Sequence, residues 1–130
     1  MVKTKYYKYA HIYLTLGLVV VLIGFSKTYF NKLGQFSFSH HLHGISATLW
    51  MMLLIIQPYL FQKGKMKAHR ILGWFSLVLV PLIIVGGIIM MRIMIQGQAN
   101  YPPNIVYTLA FIDLCTLIGF AVLYVLALYF

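Results

Sequence analysis

Four long apolar stretches, separated by short polar segments, account for most of the chain. They cover about residues 9–26, 39–61, 69–95 and 105–130. Each stretch is close to or longer than the ~20 residues that an α-helix needs to cross the hydrocarbon core of a bilayer. The pattern predicts a single transmembrane domain, an all-α integral membrane four-helix bundle whose helices run up, down, up and down.

Composition argues against a water-soluble fold. Hydrophobic residues make up 62% of the 130 residues and charged residues only 8%, whereas soluble domains have roughly 25% charged residues. The net charge of +9 does not indicate nucleic acid binding, because the basic residues lie at the ends of apolar runs, as they do in membrane proteins. The expected partners are the lipid bilayer and other membrane subunits or further copies of this chain.

The distribution of basic residues predicts the orientation in the membrane. The N-terminus and the connector between the second and third spans carry most of them: Lys3, Lys5, Lys8, Lys63, Lys65, Lys67 and Arg70. The opposite side carries Lys27, Lys32 and Arg92. Because cytoplasmic loops are enriched in lysine and arginine, both termini are expected to be cytoplasmic.

Two charged residues lie inside predicted spans: Arg92, and Asp113, which is the only acidic residue of the protein. Charges at membrane depth usually face protein, water or each other, so the simplest expectation is a structural ion pair that joins the third and fourth helices. Alternatively, Asp113 orients His40 or His43 in a proton or metal site. A third alternative is a lone aspartic acid that burial keeps neutral.

A cluster of three histidines, His40, His41 and His43, opens the second span. His40 and His43 are three residues apart and share a helix face, whereas His41 points elsewhere. Two such ligands with Asp113 as a third would suit zinc or copper. The alternatives that stay open are polar anchors at the membrane surface and haem ligands.

His11 and His69 lie toward the cytoplasmic ends of the first and third spans. These two spans are diagonal neighbours in an up-down-up-down bundle, so both imidazoles can project inward. Opposed axial imidazoles are what a six-coordinate b-type haem requires. The alternative is that both histidines lie at headgroup level without a cofactor.

No constellation for hydrolysis or nucleotide binding is visible. Cys115, Thr108 and Ser46 have no evident base partner in the sequence, and there is no glycine-rich phosphate loop. We therefore expect no independent catalytic activity.

Three motifs follow one another in the middle of the sequence: a histidine-led helix at His43-Gly44, a glutamine near its far end at Gln57, and a His-Arg-x-x-Gly start of the next helix at His69-Arg70-Ile71-Leu72-Gly73. This pattern resembles that of small uncharacterised bacterial membrane proteins, which are distantly similar to cytochrome b and ferric reductase type transmembrane bundles. The resemblance implies a bacterial inner membrane location and a transmembrane bundle of the kind that holds haem b.

Three functions are consistent with the sequence. The leading expectation is a membrane subunit with a histidine-rich site that binds b-type haem for electron transfer within a larger complex. The second is a purely structural or assembly subunit of a membrane complex. The third is a proton- or metal-handling transporter module centred on Asp113.

Overall fold

The computed structural model describes residues 8–27, 29–97 and 102–129. This part of the chain is all-helical, without β-strands, and its four α-helices are α1 (Ala10–Ser26), α2 (Phe38–Gln62), α3 (Met66–Gln96) and α4 (Pro103–Tyr129). A short 3-10 helix, Phe30–Gln35, lies between α1 and α2. Lys3 and Lys5 of the orientation argument, residues 98–101 of the last connector and Phe130 lie outside the described residues.

Three of these helices, α2, α3 and α4, are long and apolar enough to span a membrane, at 25, 31 and 27 residues. α1 is apolar too, but its 17 residues are fewer than the ~20 that a full crossing needs. The all-helical prediction is confirmed. The long apolar helices fit an integral membrane protein whose surface contacts lipid.

Local chemistry explains where the helices begin and how α2 joins α3. Gly64 has φ +67°, a left-handed conformation that favours glycine, so the chain reverses there within three residues. α4 begins at Pro103, a first helical position where the missing N–H costs nothing. Ser37 precedes α2, and its hydroxyl bonds the ring of His40 rather than a backbone N–H.

α2 and α3 form the most extensive helix pair. The buried positions of α2 are Ser46, Leu53 and Leu60, spaced seven residues apart. Those of α3 are Ser76, Leu79, Val80, Ile83 and Gly86. The buried positions of α3 recur every three or four residues, and a repeat of three, four or seven residues is typical of helices that pack along a continuous seam. Leu53, Leu79 and Ile83 form its apolar core.

α4 packs against α3 in the opposite direction and contacts α2 through Trp50. Tyr124 of α4 meets Ser76 of α3, and Leu117 of α4 lies beside Gly87 of α3. Residue numbers therefore rise along α4 in the direction in which they fall along α3, so the two helices are antiparallel. Trp50 of α2 meets Phe120 and Tyr124 edge-on.

α1 lies on the far side of α2 from α3. The ring of His11 on α1 contacts Tyr59 of α2 with centroids 6.1 Å apart, whereas Gln57 of α2 bonds α3. Two residues of helix turn the side-chain direction by about 200°, so Tyr59 and Gln57 point to opposite sides. Among the described helices, contacts of α1 with α3 and α4 are at most slight. This differs from the diagonal placement of α1 and α3 expected from the sequence.

Candidate functional site

Polar side chains within the long helices gather at two ends of the α2–α3 pair. We call the end at which residues 63–65 join α2 to α3 the connector end. The end at which α2 begins is the far end. His43 and its neighbours lie at the far end, and Gln57 with His69 lies at the connector end.

His43 fits against a surface of α3 that only glycine leaves open. A Cβ atom on Gly86 would lie 2.8 Å from Nδ1 of His43 and 3.3 Å from its Cβ. A Cβ on Gly87 would meet both Cδ1 of Leu117, at 3.3 Å, and Cε1 of His43, at 4.0 Å. His43 therefore lies where α2, α3 and α4 come together. Its Nδ1 is buried and has no hydrogen-bond partner among the described residues.

The other two histidines of the cluster contact different elements. Nδ1 of His40 lies 2.8 Å from the hydroxyl of Ser37, at the start of the same helix. Nδ1 of His41 lies 2.6 Å from the hydroxyl of Tyr29, in the segment that precedes the 3-10 helix. Three imidazoles that are close in sequence are thus directed to three separate places, and His41 fastens the α1–α2 connection to α2.

The metal-site hypothesis for His40, His43 and Asp113 is not strengthened by this arrangement. Across residues 8–27, 29–97 and 102–129, no three histidine, cysteine or acidic side chains are grouped closely enough to hold a metal ion. The metal site stays a prediction.

Asp113 occupies an unusual place on α4. The packing positions of this helix follow the same three- and four-residue spacing: Val106, Ala110, Asp113, Leu117, Phe120 and Tyr124. Val106 and Ala110 are buried, and the last three of the series are half-buried. Asp113 alone in this series is exposed. An acidic side chain therefore interrupts an otherwise packed stripe, two turns from where Phe120 meets α2.

Arg92 and Asp113 lie at the same depth but not on the same side. From the contact between Gly87 and Leu117, Asp113 is about 6 Å and Arg92 about 7.5 Å nearer the far end, at 1.5 Å per residue. Five residues of helix turn Arg92 by about 140° away from the α4-facing direction of Gly87. Both side chains are exposed. In the described part of the chain they make no ion pair, so the predicted intrachain pair stays a prediction.

At the connector end, a reciprocal pair of hydrogen bonds pins α2 to α3. Nε2 of Gln57 donates to the backbone oxygen of His69 at 3.2 Å, and Nδ1 of His69 donates to the backbone oxygen of Gln57 at 3.3 Å. Because a carbonyl only accepts, Nδ1 of His69 is the donor in this bond. The packing of His69 against Phe61 completes the joint.

The arrangement does not fit a haem held between His11 and His69. His11 reaches Tyr59 on one side of α2, and His69 reaches Gln57 on the opposite side. The body of α2 therefore stands between the two imidazoles, whereas axial ligands must face each other across an open space. Haem b as a cofactor stays a prediction, and no step of function is derived from it.

Beside the Gln57–His69 joint, the three long helices border an open cleft of about 560 Å³. The hydroxyls of Ser76 and Tyr124 lie 2.8 Å apart in its wall and join α3 to α4. Arg70 and Trp74 of α3 also line the cleft, and both are exposed. The cleft combines apolar walls with a cation and a few polar groups.

Several of these residues were not expected from the sequence. Tyr29 and Tyr124 are two of ten tyrosines, and nothing in their neighbourhood indicates a hydrogen-bond partner. Ser46 and Ser76 had a detectable signal, because they are small polar residues that share the helical spacing of apolar positions. Gly86 was visible only as one of two adjacent glycines in an apolar run.

Known proteins add no second line of evidence. No protein-family model, no curated protein and no solved structure matches the chain.

Proposed function

We propose that the protein is a non-catalytic assembly subunit of a membrane complex, and that copies of the chain associate through Asp113 of one copy and Arg92 of the next. The observation that carries the proposal is Asp113. It is the only acidic residue of the protein, lies within a long apolar helix, and is exposed without an ion pair in the described residues.

The cost of burying a charge in lipid supports a partner for Asp113. An aspartate at the centre of a transmembrane helix costs ~2.5–3.5 kcal/mol on insertion scales, so such residues face protein or water. Other polar groups of the spans serve contacts within the chain, as the Gln57–His69 and Ser76–Tyr124 pairs do. Asp113 is a charged group at membrane depth that serves none among the described residues, which favours an assembly role.

Charge complementarity and depth favour a second copy as the partner. Two copies in one membrane with the same orientation place Arg92 and Asp113 at matching depth, because the two residues are level within one copy. Arg92 is turned about 140° from the α4-facing side of α3, so it points away from Asp113 of its own chain. In this direction it can meet Asp113 of a neighbouring copy. An ion pair between copies would remove the free-energy cost of exposing both charged groups to lipid.

The geometry implies a head-to-tail association. Arg92 and Asp113 lie on different faces, so one interface uses Arg92 of one copy and Asp113 of another. Interfaces of this heterologous kind leave a free Arg92 and a free Asp113 at the ends, and they close into a ring when the rotation permits. We propose that the chain resides in a bacterial inner membrane with both termini cytoplasmic, as its basic residues favour.

The proposal predicts that Asp113→Asn weakens self-association in liposomes about tenfold, since polar contacts between transmembrane helices contribute ~1–2 kcal/mol in model peptides. Energy transfer between two fluorescently labelled populations of the full chain, measured over a range of protein-to-lipid ratios, reports the change. Thr116→Val is the matched control, because Thr116 is exposed on the same helix one turn away. Equal association of wild type and Asp113→Asn contradicts the proposal, as does a monomeric wild type.

A proton-handling role is a second candidate, and His43 favours it. Its Nδ1 is buried without a partner. His43 lies at the level of Gly87 and Leu117, and Asp113 lies one helical turn from Leu117, about 6 Å along α4. Proton uptake into liposomes that His43→Gln and Asp113→Asn abolish, but His41→Gln leaves intact, would establish this role. Absence of uptake excludes it.

A further inference from the structure

We infer that the cleft at the connector end binds an anionic phospholipid, with the lipid phosphate at Arg70 and an acyl chain along the apolar wall. This site is separate from the Arg92–Asp113 contact and does not depend on it, because the two lie at opposite ends of α3.

The cleft has the size and lining of a ligand site. Its volume of about 560 Å³ lies within the usual ~300–1,000 Å³ of small-molecule pockets. Its apolar lining is contributed by all three long helices: Trp50, Leu53, Met66, Trp74, Leu77 and Leu128. Trp74 is 68% exposed and Leu128 is 55% exposed, so the cleft opens sideways toward the surface that contacts lipid. A ligand with a long apolar chain matches this opening better than a wholly polar one.

The charge at the rim selects an anion. Arg70 lines the cleft, is exposed and makes no ion pair among the described residues. The protein's only acid, Asp113, lies eleven residues along α4 from Tyr124, which is about 16 Å. Lys63 does not compete for the same anion, because its Nζ lies 5.8 Å from the ring of Tyr59, on the side of α2 that faces away from Gln57.

The depth of the site matches a phospholipid headgroup. Arg70 lies in the second turn of α3, five residues after the basic connector, and Trp74 follows one turn later. Tryptophan and basic side chains at the end of a transmembrane helix are typical of the headgroup region. Basic pockets between transmembrane helices bind anionic headgroups. A zwitterionic lipid carries its own ammonium group, which weakens its attraction to Arg70.

The test compares phosphatidylglycerol with phosphatidylcholine as probes, using native mass spectrometry of the full chain in detergent. Wild type is expected to retain phosphatidylglycerol preferentially. Arg70→Gln is expected to lower the apparent affinity about fivefold, the contribution of one basic residue near a membrane surface. Lys63→Gln is the matched control, because it removes the same charge at the same end from a side chain turned away from the cleft.

A second pair of variants distinguishes lipid binding in the cleft from non-specific attraction of the lipid to the basic surface of the protein. Ala127→Phe fills the cleft without changing charge, and Val122→Phe adds the same ring at an exposed position outside it. Loss of phosphatidylglycerol in Arg70→Gln and Ala127→Phe, with retention in both controls, supports the site. Loss in Arg70→Gln alone, equal loss in Lys63→Gln, or no loss in either cleft variant overturns it. Circular dichroism of each variant identifies misfolded protein, and Ala127→Phe keeps the test decisive if Arg70→Gln misfolds.

Discussion

Gly86→Ala is expected to destabilise the folded protein by about 2 kcal/mol, within the range for overpacked interiors. The added Cβ would lie 2.8 Å from Nδ1 of His43, and because it would also lie 3.3 Å from the Cβ of His43, a rotation of the ring cannot relieve the contact. The expected result is a lower melting temperature in detergent, measured by loss of the monodisperse peak after heating.

Two variants test the reason for this loss. His43→Ala combined with Gly86→Ala should recover most of the stability, since the two single changes act on one contact. Gly119→Ala is the control, because a Cβ on Gly119 would meet nothing within 4 Å; it should be neutral or slightly stabilising, as alanine favours helix. A stable Gly86→Ala protein would show that His43 does not pack against α3 in this way.

Ser76→Leu is expected to cost about 3 kcal/mol, at the upper end of overpacking effects. Ser76 is 4% exposed and its hydroxyl lies 2.8 Å from that of Tyr124. Leucine would force α3 and α4 apart and leave the hydroxyl of Tyr124 without this partner. The measurement is again the melting temperature in detergent, together with the loss of helix–helix contact reported by a distance probe on α3 and α4.

Smaller substitutions at Ser76 and Tyr124 distinguish the effect of added side-chain volume from the effect of losing the hydrogen bond. Ser76→Ala and Tyr124→Phe should each cost about 1 kcal/mol, in keeping with interhelical polar contacts in membranes. Because both changes remove the same bond, the double variant should be little worse than either single one. If Ser76→Leu is no more harmful than Ser76→Ala, the close approach of α3 and α4 at Ser76 is incorrect.

The helical architecture could be predicted from the sequence because it follows from the length of apolar runs. A long apolar helix satisfies its own backbone in lipid, so α2, α3 and α4 follow from hydrophobicity alone. The turn at Gly64 was equally accessible, since glycine in a short polar connector predicts a left-handed residue. These features depend on local chemistry.

The candidate site depends on which sides of the helices meet, and the sequence did not provide this. The separate direction of His41 followed from helical spacing, but its partner Tyr29 did not. The proximity of Arg92 and Asp113 was expected from their charges. The structure places them at one depth yet turns Arg92 away from α4, and this angle depends on the register of α3 against α4.

The placement of α1 against the other helices could not be predicted from the sequence either. Its apolar composition indicates a membrane helix, but four apolar helices can be arranged around each other in several ways. The contact of His11 with Tyr59 puts α1 on the opposite side of α2 from His69. The haem expectation required the two histidines to face one another, so it depended on an arrangement that helix periodicity alone cannot distinguish.

The most direct test of the proposed assembly mixes two single variants, Asp113→Asn and Arg92→Gln, in one liposome preparation. A head-to-tail interface between copies leaves one intact ion pair in the mixed combination, because the first variant supplies Arg92 and the second supplies Asp113. Energy transfer between differently labelled variants should therefore exceed that within either variant alone. Equal transfer in the mixture and in the separate variants would contradict the account.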